Sequence, residues 1–256
     1  MGSKLINKKL KMFNNKKIIG VTGPSIFSPE VKTMVEEYFG AICLYINQDK
    51  HDDLDYIVGQ CDGIILAGGS DIHCMTLGRQ VTRFDGLSKF DLQRDKRELY
   101  IIQQCWEQSK ALFGICRGNQ ILGHNAGFHL ISDIGRSEIS HSPASDDIKL
   151  NVEVGECAHT IQCLPEFKNK WFDFEWVNSH HHQALLYNPK QKYLNGFNVI
   201  AIADTSSDEK KNNQIIELME NKNDKTISCQ WHPEEDYKFG NAASLKVLER
   251  FKEFLG

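Results

Sequence analysis

The residues best suited to chemistry lie in one short stretch, Ala111-Leu112-Phe113-Gly114-Ile115-Cys116-Arg117-Gly118-Asn119-Gln120. The apolar run reads as a buried strand, Cys116 follows between Gly114 and Gly118, and a helical pattern then runs from Asn119 to Ala126. This Gly-x-Cys-x-Gly spacing has the form of a nucleophile elbow with sulfur in place of the serine oxygen. Small residues two positions either side are needed because the turn is sharp and the chain passes close to its neighbours. A thiol there stands at a helix N-terminus, where the dipole favours thiolate, the nucleophilic form. A nucleophile also needs a base, and the base needs something to orient it. Gln230-Trp231-His232-Pro233-Glu234, at the end of a predicted strand, offers both. On extended chain His232 and Glu234 leave on the same side, so the carboxylate can hold the imidazole tautomer.

Each group also has a bland reading. Free cysteines are mostly small buried hydrophobes, and Cys43, Cys61, Cys105, Cys157, Cys163 and Cys229 are read that way. A lone His-Pro-Glu is as well explained by a structural histidine. It is the pairing with the elbow that makes the signal specific.

Elements must carry these groups to one place. Lys17 to Gly23, Ala41 to Ile46 and Asp62 to Ala67 read as buried strands, with Pro29 to Phe39 as a helix between the first two. Strand-helix-strand alternation with short connections predicts a parallel sheet covered on both faces. Gly68-Gly69-Ser70-Asp71 closes the third strand with a donor-rich turn that is not a phosphate loop. His73 to Ser88 reads as a surface loop, Asp91 to Gln108 as a long amphipathic helix feeding the Cys116 strand, and Gly127 to Ile131 as a short strand. In the second half, Lys149 to Val154, Phe174 to Val177, Val199 to Ala203, Gln214 to Met219 and Thr226 to Trp231 are strand-like runs between polar turns. Ala242 to Phe254 is the last helix.

The 256 residues suit one domain over 16–256, with 1–15 expected to be a mobile lysine-bearing segment. Thirty Lys and Arg against 34 Asp and Glu, a net charge of −4, provide no basic field for nucleic acid or an anionic membrane, so a small molecule is the expected partner. Eight cysteines without a Cys-x-x-Cys pair, and no signal-peptide pattern, point to a reducing cytoplasm.

With elbow and His-Pro-Glu together, the chain resembles the class I glutamine amidotransferases from about Ile18 to Phe254. Leu66-Ala67-Gly68-Gly69-Ser70-Asp71, Asp91-Leu92-Gln93-Arg94-Asp95 and Val177-Asn178-Ser179-His180-His181-His182-Gln183 look most like the gamma-glutamyl hydrolase branch, peptidase family C26, which includes gamma-glutamyl-gamma-aminobutyrate hydrolases. The resemblance implies an α/β, flavodoxin-like three-layer sandwich with a mostly parallel sheet and an antiparallel extension. It implies hydrolysis of a gamma-glutamyl amide through a glutamyl thioester, without cofactor or metal. Cys116 would be nucleophile, His232 general base then acid, and Glu234 the orienting acid. Backbone N–H groups of Gly69 and Arg117 would form the oxyanion hole, and Gln120, His181, His182 and Gln183 would border the substrate.

Three adjacent histidines could suggest a metal, but neighbours in sequence point apart and no second ligand cluster accompanies them. Arg94 and Asp95 are read as helix-start charges, solvated or locally paired. These hydrolases usually end the third strand in Pro-Gly-Gly and continue Asp-x-x-Pro-x-x-Tyr-Gly, whereas this chain has Ala67-Gly68-Gly69 and then Asp71-Ile72-His73-Cys74-Met75-Thr76-Leu77-Gly78. The rewrite leaves the leaving amine open and makes Cys74 the other cysteine not assigned as inert. A glutaminase feeding ammonia to a separate synthase, a non-catalytic binding protein on the same scaffold, and a homo-oligomer also remain open.

Overall fold

The computed structural model describes residues 16–23, 28–47, 51–78, 90–134, 159–205 and 213–256. The expected mobile segment 1–15, the expected strand Lys149 to Val154, and Cys157 lie outside the described residues. The parallel half comprises β1 (Ile18–Thr22), β2 (Ile42–Ile46), β3 (Gly63–Leu66), β4 (Ala111–Ile115) and, from late in the chain, β12 (Thr226–Cys229), in the order β2-β1-β3-β4-β12. Every residue of β3, β4 and β12 is buried, as a strand covered on both faces requires. Register places Thr22 beside Leu66, Leu66 beside Gly114, and Ile115 beside Cys229. The exits from four strands therefore form one row along the carboxyl edge, where open α/β sheets place their ligands.

Helices cover both faces. On one, α1 (Pro29–Thr33) continues into a π-helical turn, Met34–Tyr38. It is started by Ser28, whose side chain accepts from Val31 N, and by Pro29 in the first turn. The same face holds α6 (Ala242–Leu255), whose Val247, Leu248 and Phe251 are fully buried, worth roughly 1.5–3 kcal/mol each. The other face holds α2 (His51–Gln60), α3 (Leu92–Glu107) and α4 (Arg117–Asn125). Leu54, Val58, Ile101, Ile102, Ile121 and Leu122 form its core. Helix α2 has no counterpart among the elements expected from sequence, although Leu54, Ile57 and Val58 keep helical spacing.

The sheet continues past β12 in antiparallel fashion, through β11 (Gln214–Asn221), β10 (Phe197–Asp204), β6 (His159–Cys163) and β7 (Phe174–Val177). β6 alternates buried and exposed, as a strand solvated on one face does. β5 (Leu130–Ile131) pairs with β8 (Ala184–Leu185) in a separate ribbon, and β9 (Tyr193–Leu194) pairs with β10. Among the described residues no helix is long and apolar enough to cross a membrane.

Candidate active site

Cys116 joins β4 to α4 at φ 51°, ψ −102°, a conformation an L residue holds only when its surroundings impose it. Those surroundings are the two glycines. A Cβ on Gly118 would stand 2.1 Å from the Leu66 carbonyl oxygen, and one on Gly114 would stand 2.7 Å from the Gly118 carbonyl. Cys116 N donates to the Cys229 carbonyl at 2.9 Å, tying the elbow to β12, and the residue is 4% exposed. Arg117 opens α4, so its N–H has no acceptor within the helix.

His232 follows β12 and caps a single helical turn, α5 (Pro233–Asp236). Here the extended-chain expectation is corrected: Pro233 sets helical φ at the first position, and the Glu234 carboxylate reaches back around the turn. Its Oε1 meets His232 Nδ1 at 2.8 Å, leaving Nε2 for the thiol, which lies within hydrogen-bond reach of the ring. Gly68 marks the junction, since a Cβ there would sit 2.8 Å from His232 Cε1 and 3.6 Å from Cys116 Cβ. Burial opposes the imidazolium, yet Glu234 and the Cys116 sulfur outweigh it and hold the His232 pKa well above its ordinary value. Asn178 clamps the backbone of His232 from both sides. Its Oδ1 accepts from His232 N and its Nδ2 donates to His232 O, both at 2.8 Å.

Behind the glycine turn lies an ion network that residue spacing does not announce. Arg94, Asp95, Glu98 and Arg117 are each at most 1% exposed. Arg94 Nε donates to Glu98 Oε1 at 2.7 Å, and Arg117 donates to both Glu98 and Asp95. Thr22 Oγ1 donates to Glu98 at 2.6 Å, and Asp95 Oδ2 accepts from His73 N and Thr76 Oγ1. Arg94 is thus neither solvated nor confined to a helix-local pair. Its Nη2 donates to the carbonyls of Ala67 at 2.6 Å and Gly68 at 3.1 Å.

The structure brings Cys116, His232, Glu234 and the Gly68-Gly69 turn together. It sets the other expected residues apart. Gln120 is 4% exposed, with its amide nitrogen donating to the Gln183 carbonyl at 2.8 Å, and His181 Nδ1 lies 3.0 Å from the same carbonyl. Gln183 is buried as well, its side chain accepting from Ile72 N. His182 is half exposed and faces Asp71 at 3.0 Å, a hydrogen bond that raises its pKa. His180 turns to Glu235 and stacks edge-on against His232, so the three histidines do not converge. Atoms of His232, Glu234 and Glu235 come within 4.8 Å of one another, but the hydrogen bonds to Glu234 and His180 already account for that cluster. Cys74, the other cysteine not assigned as inert, is fully buried. A cavity of about 220 Å³ opens beside His232, lined by Val21, Thr22, Ser28, Val31, Gly69 and Glu235 among others. It lies between the exits of β1 and β3, where the order of connection reverses, the usual ligand crevice of such sheets.

A parallel sheet with a cysteine elbow on one strand and a histidine-carboxylate pair on the next is the organisation of the class I glutamine amidotransferase-like proteins. The chain belongs to the peptidase C26 family, whose model matches residues 6–234. It is 30% identical over 199 residues to the glutamine amidotransferase-like protein YvdE of Lactococcus lactis, covering 76% of this chain and 75% of that protein. It is 28% identical over 183 residues to protein NtpR of Enterococcus hirae, covering 69% and 68%. Among solved structures, a GMP synthase component from Thermoplasma acidophilum superposes with a TM-score of 0.59 at 13% identity, covering 94% of this chain and 95% of that one. The glutaminase domain of Trypanosoma brucei CTPS, with bound acivicin, superposes at 0.52 and 14% identity, covering 94% and 92%. These likenesses show the fold, and family membership makes the protein a cysteine-type hydrolase or amidotransferase.

Proposed function

We propose that the protein hydrolyses a gamma-glutamyl amide through a thioester on Cys116. The observation that carries this reading is the meeting of the Cys116 thiol, the His232 ring and the Gly68-Gly69 turn around one point. His232 takes the proton of the Cys116 thiol, the sulfur adds to the gamma-carbonyl to form the C–S bond, and the oxygen takes up negative charge. Backbone N–H groups of Gly69 and Arg117 receive that charge, each worth on the order of 3 kcal/mol of barrier. The tetrahedral species collapses as His232 gives its proton to the amide nitrogen, and the C–N bond breaks. The amine leaves through the cavity beside His232. Water then adds to the thioester while His232 takes its proton, the C–S bond breaks, and glutamate departs. Glu234 keeps the ring turned the right way throughout.

Incubation with a panel of gamma-glutamyl amides, with glutamate release followed, should give turnover that disappears in Cys116→Ala. A His232→Asn protein should accumulate a glutamyl adduct on Cys116, visible by mass. Absence of Cys116-dependent turnover across the panel would sink the reading. The amidotransferase names of the relatives support a second one, glutamine hydrolysis coupled to a synthase partner. Glutaminase activity that appears only with a co-purifying protein would favour it.

A further inference from the structure

We infer that Arg94 is a positioning residue that aims the Gly69 N–H at the oxyanion, and that Glu98 couples this donor to the second one at Arg117. The inference rests on the proposed role of those two N–H groups and adds the device that holds them.

The reason is the planarity of the peptide. In a trans peptide the C=O and N–H point in opposite directions, so fixing one fixes the other. Arg94 Nη2 holds the carbonyls of Ala67 and Gly68 from behind the turn. The Gly68–Gly69 peptide must then present the Gly69 N–H away from Arg94. The turn alternates sides in agreement: the Cβ position of Gly68 faces His232 and Cys116, while that of Gly69, at φ 147°, lies 2.3 Å from Arg94 Nη1. Any side chain at 69 would evict the guanidinium. One carboxylate links the pair of donors, because Glu98 accepts from Arg94 Nε and from the side chain of Arg117. Only a guanidinium offers a fixed fork that reaches a carboxylate and two carbonyls together. Two arginines against two acids leave the network neutral, which makes its complete burial tolerable.

Two reagents separate aiming from mere structural support. Iodoacetamide alkylates Cys116 by displacement at a saturated carbon and makes no oxyanion. p-Nitrophenyl acetate acylates it through a tetrahedral oxyanion. In Arg94→Lys, and in the charge-balanced double variant Arg94→Met/Glu98→Gln, acylation should slow by about 10- to 100-fold. Alkylation and its pH profile should stay within about threefold of the parent, as expected when the thiol and base are untouched. Rates that fall together, or acylation that does not change, would overturn the inference. A parent protein that is acylated by the ester yet inert to every gamma-glutamyl amide would overturn the hydrolase reading instead, and the ratio of the two rates would still decide the role of Arg94.

Discussion

The two walls that meet at Cys116 are held by different physics. On the β3, α3 and α4 side, four charged side chains and Thr22 are sealed from solvent and lock both a helix start and a glycine turn. On the β12 side, the His232 side chain keeps 13% exposure; Glu234 holds its ring by one hydrogen bond, Asn178 holds its backbone by two, and the 43% exposed His180 leans on it. Groups that receive developing charge work best when they cannot reorganise. A base that takes and returns a proton needs room to adjust. Under the roles proposed above, the comparison teaches that rigidity is distributed according to task.

The sharpest break in that contrast is at the point where the walls meet. Cys116→Gly should abolish turnover while raising stability by about 1 kcal/mol, because glycine accepts the positive φ without strain; activity assays and thermal unfolding of the same preparation check both halves. Next comes the sealed wall. Arg117→Met leaves Asp95 and Glu98 facing each other with too few cations, and should cost about 3–5 kcal/mol in denaturant unfolding. The hydrogen-bonded wall should give more softly. Asn178→Ala removes the clamp on the His232 backbone at about 1–2 kcal/mol and should lower turnover more than it raises KM.

Much of this architecture is legible in the order of residues. Gly114 and Gly118 announce the elbow because sterics leave no alternative there, and the buried runs of β3 and β4 announce a sheet covered on both faces. Arg94 defeats a reading from sequence for a physical reason: its i+4 partner Glu98 shows in helical spacing, but what seals that pair from solvent, Thr22 and Arg117 on Glu98 and the carbonyls of residues 67 and 68 on Arg94, comes from other elements. Asn178 sits within a recognisable motif but nothing local singles it out, since its partner lies 54 positions later. β6 escapes the sequence pattern because His159, Thr160 and Gln162 mask an alternation that shows only as burial. Cys74 could not be assigned from sequence because the loop around it departs from the family pattern, and its burial shows only in the fold.

The last effect expected is on pH, and it belongs to the β12 wall. His232 binds its proton more tightly folded than unfolded, so its contribution is complete below about 6.5 and is lost as pH rises through the raised folded value. Asp236, beside Asn178, is pushed up from 3.8 to about 7, first by burial and then by Glu234 and Glu235. Its ionisation therefore penalises the folded state increasingly across that interval and fully above it. Both shifts make the protein less stable at pH 8 than at pH 5, and Asp236→Asn should narrow the gap in melting temperature between those two conditions.

The 2.1 Å between the Leu66 oxygen and a methyl imagined on Gly118 has one more implication. The first turn of α4 rests directly on the tip of β3, backbone against backbone, so the gap between the amides of residues 69 and 117 is gauged by a missing side chain. A laboratory seeking to admit bulkier leaving amines gains nothing by reshaping that notch, because widening it would lift the helix off the strand. Room for new substrates must be cut from the opposite bank, among Val21, Ser28, Val31 and Glu235, where side chains rather than main chain define the boundary.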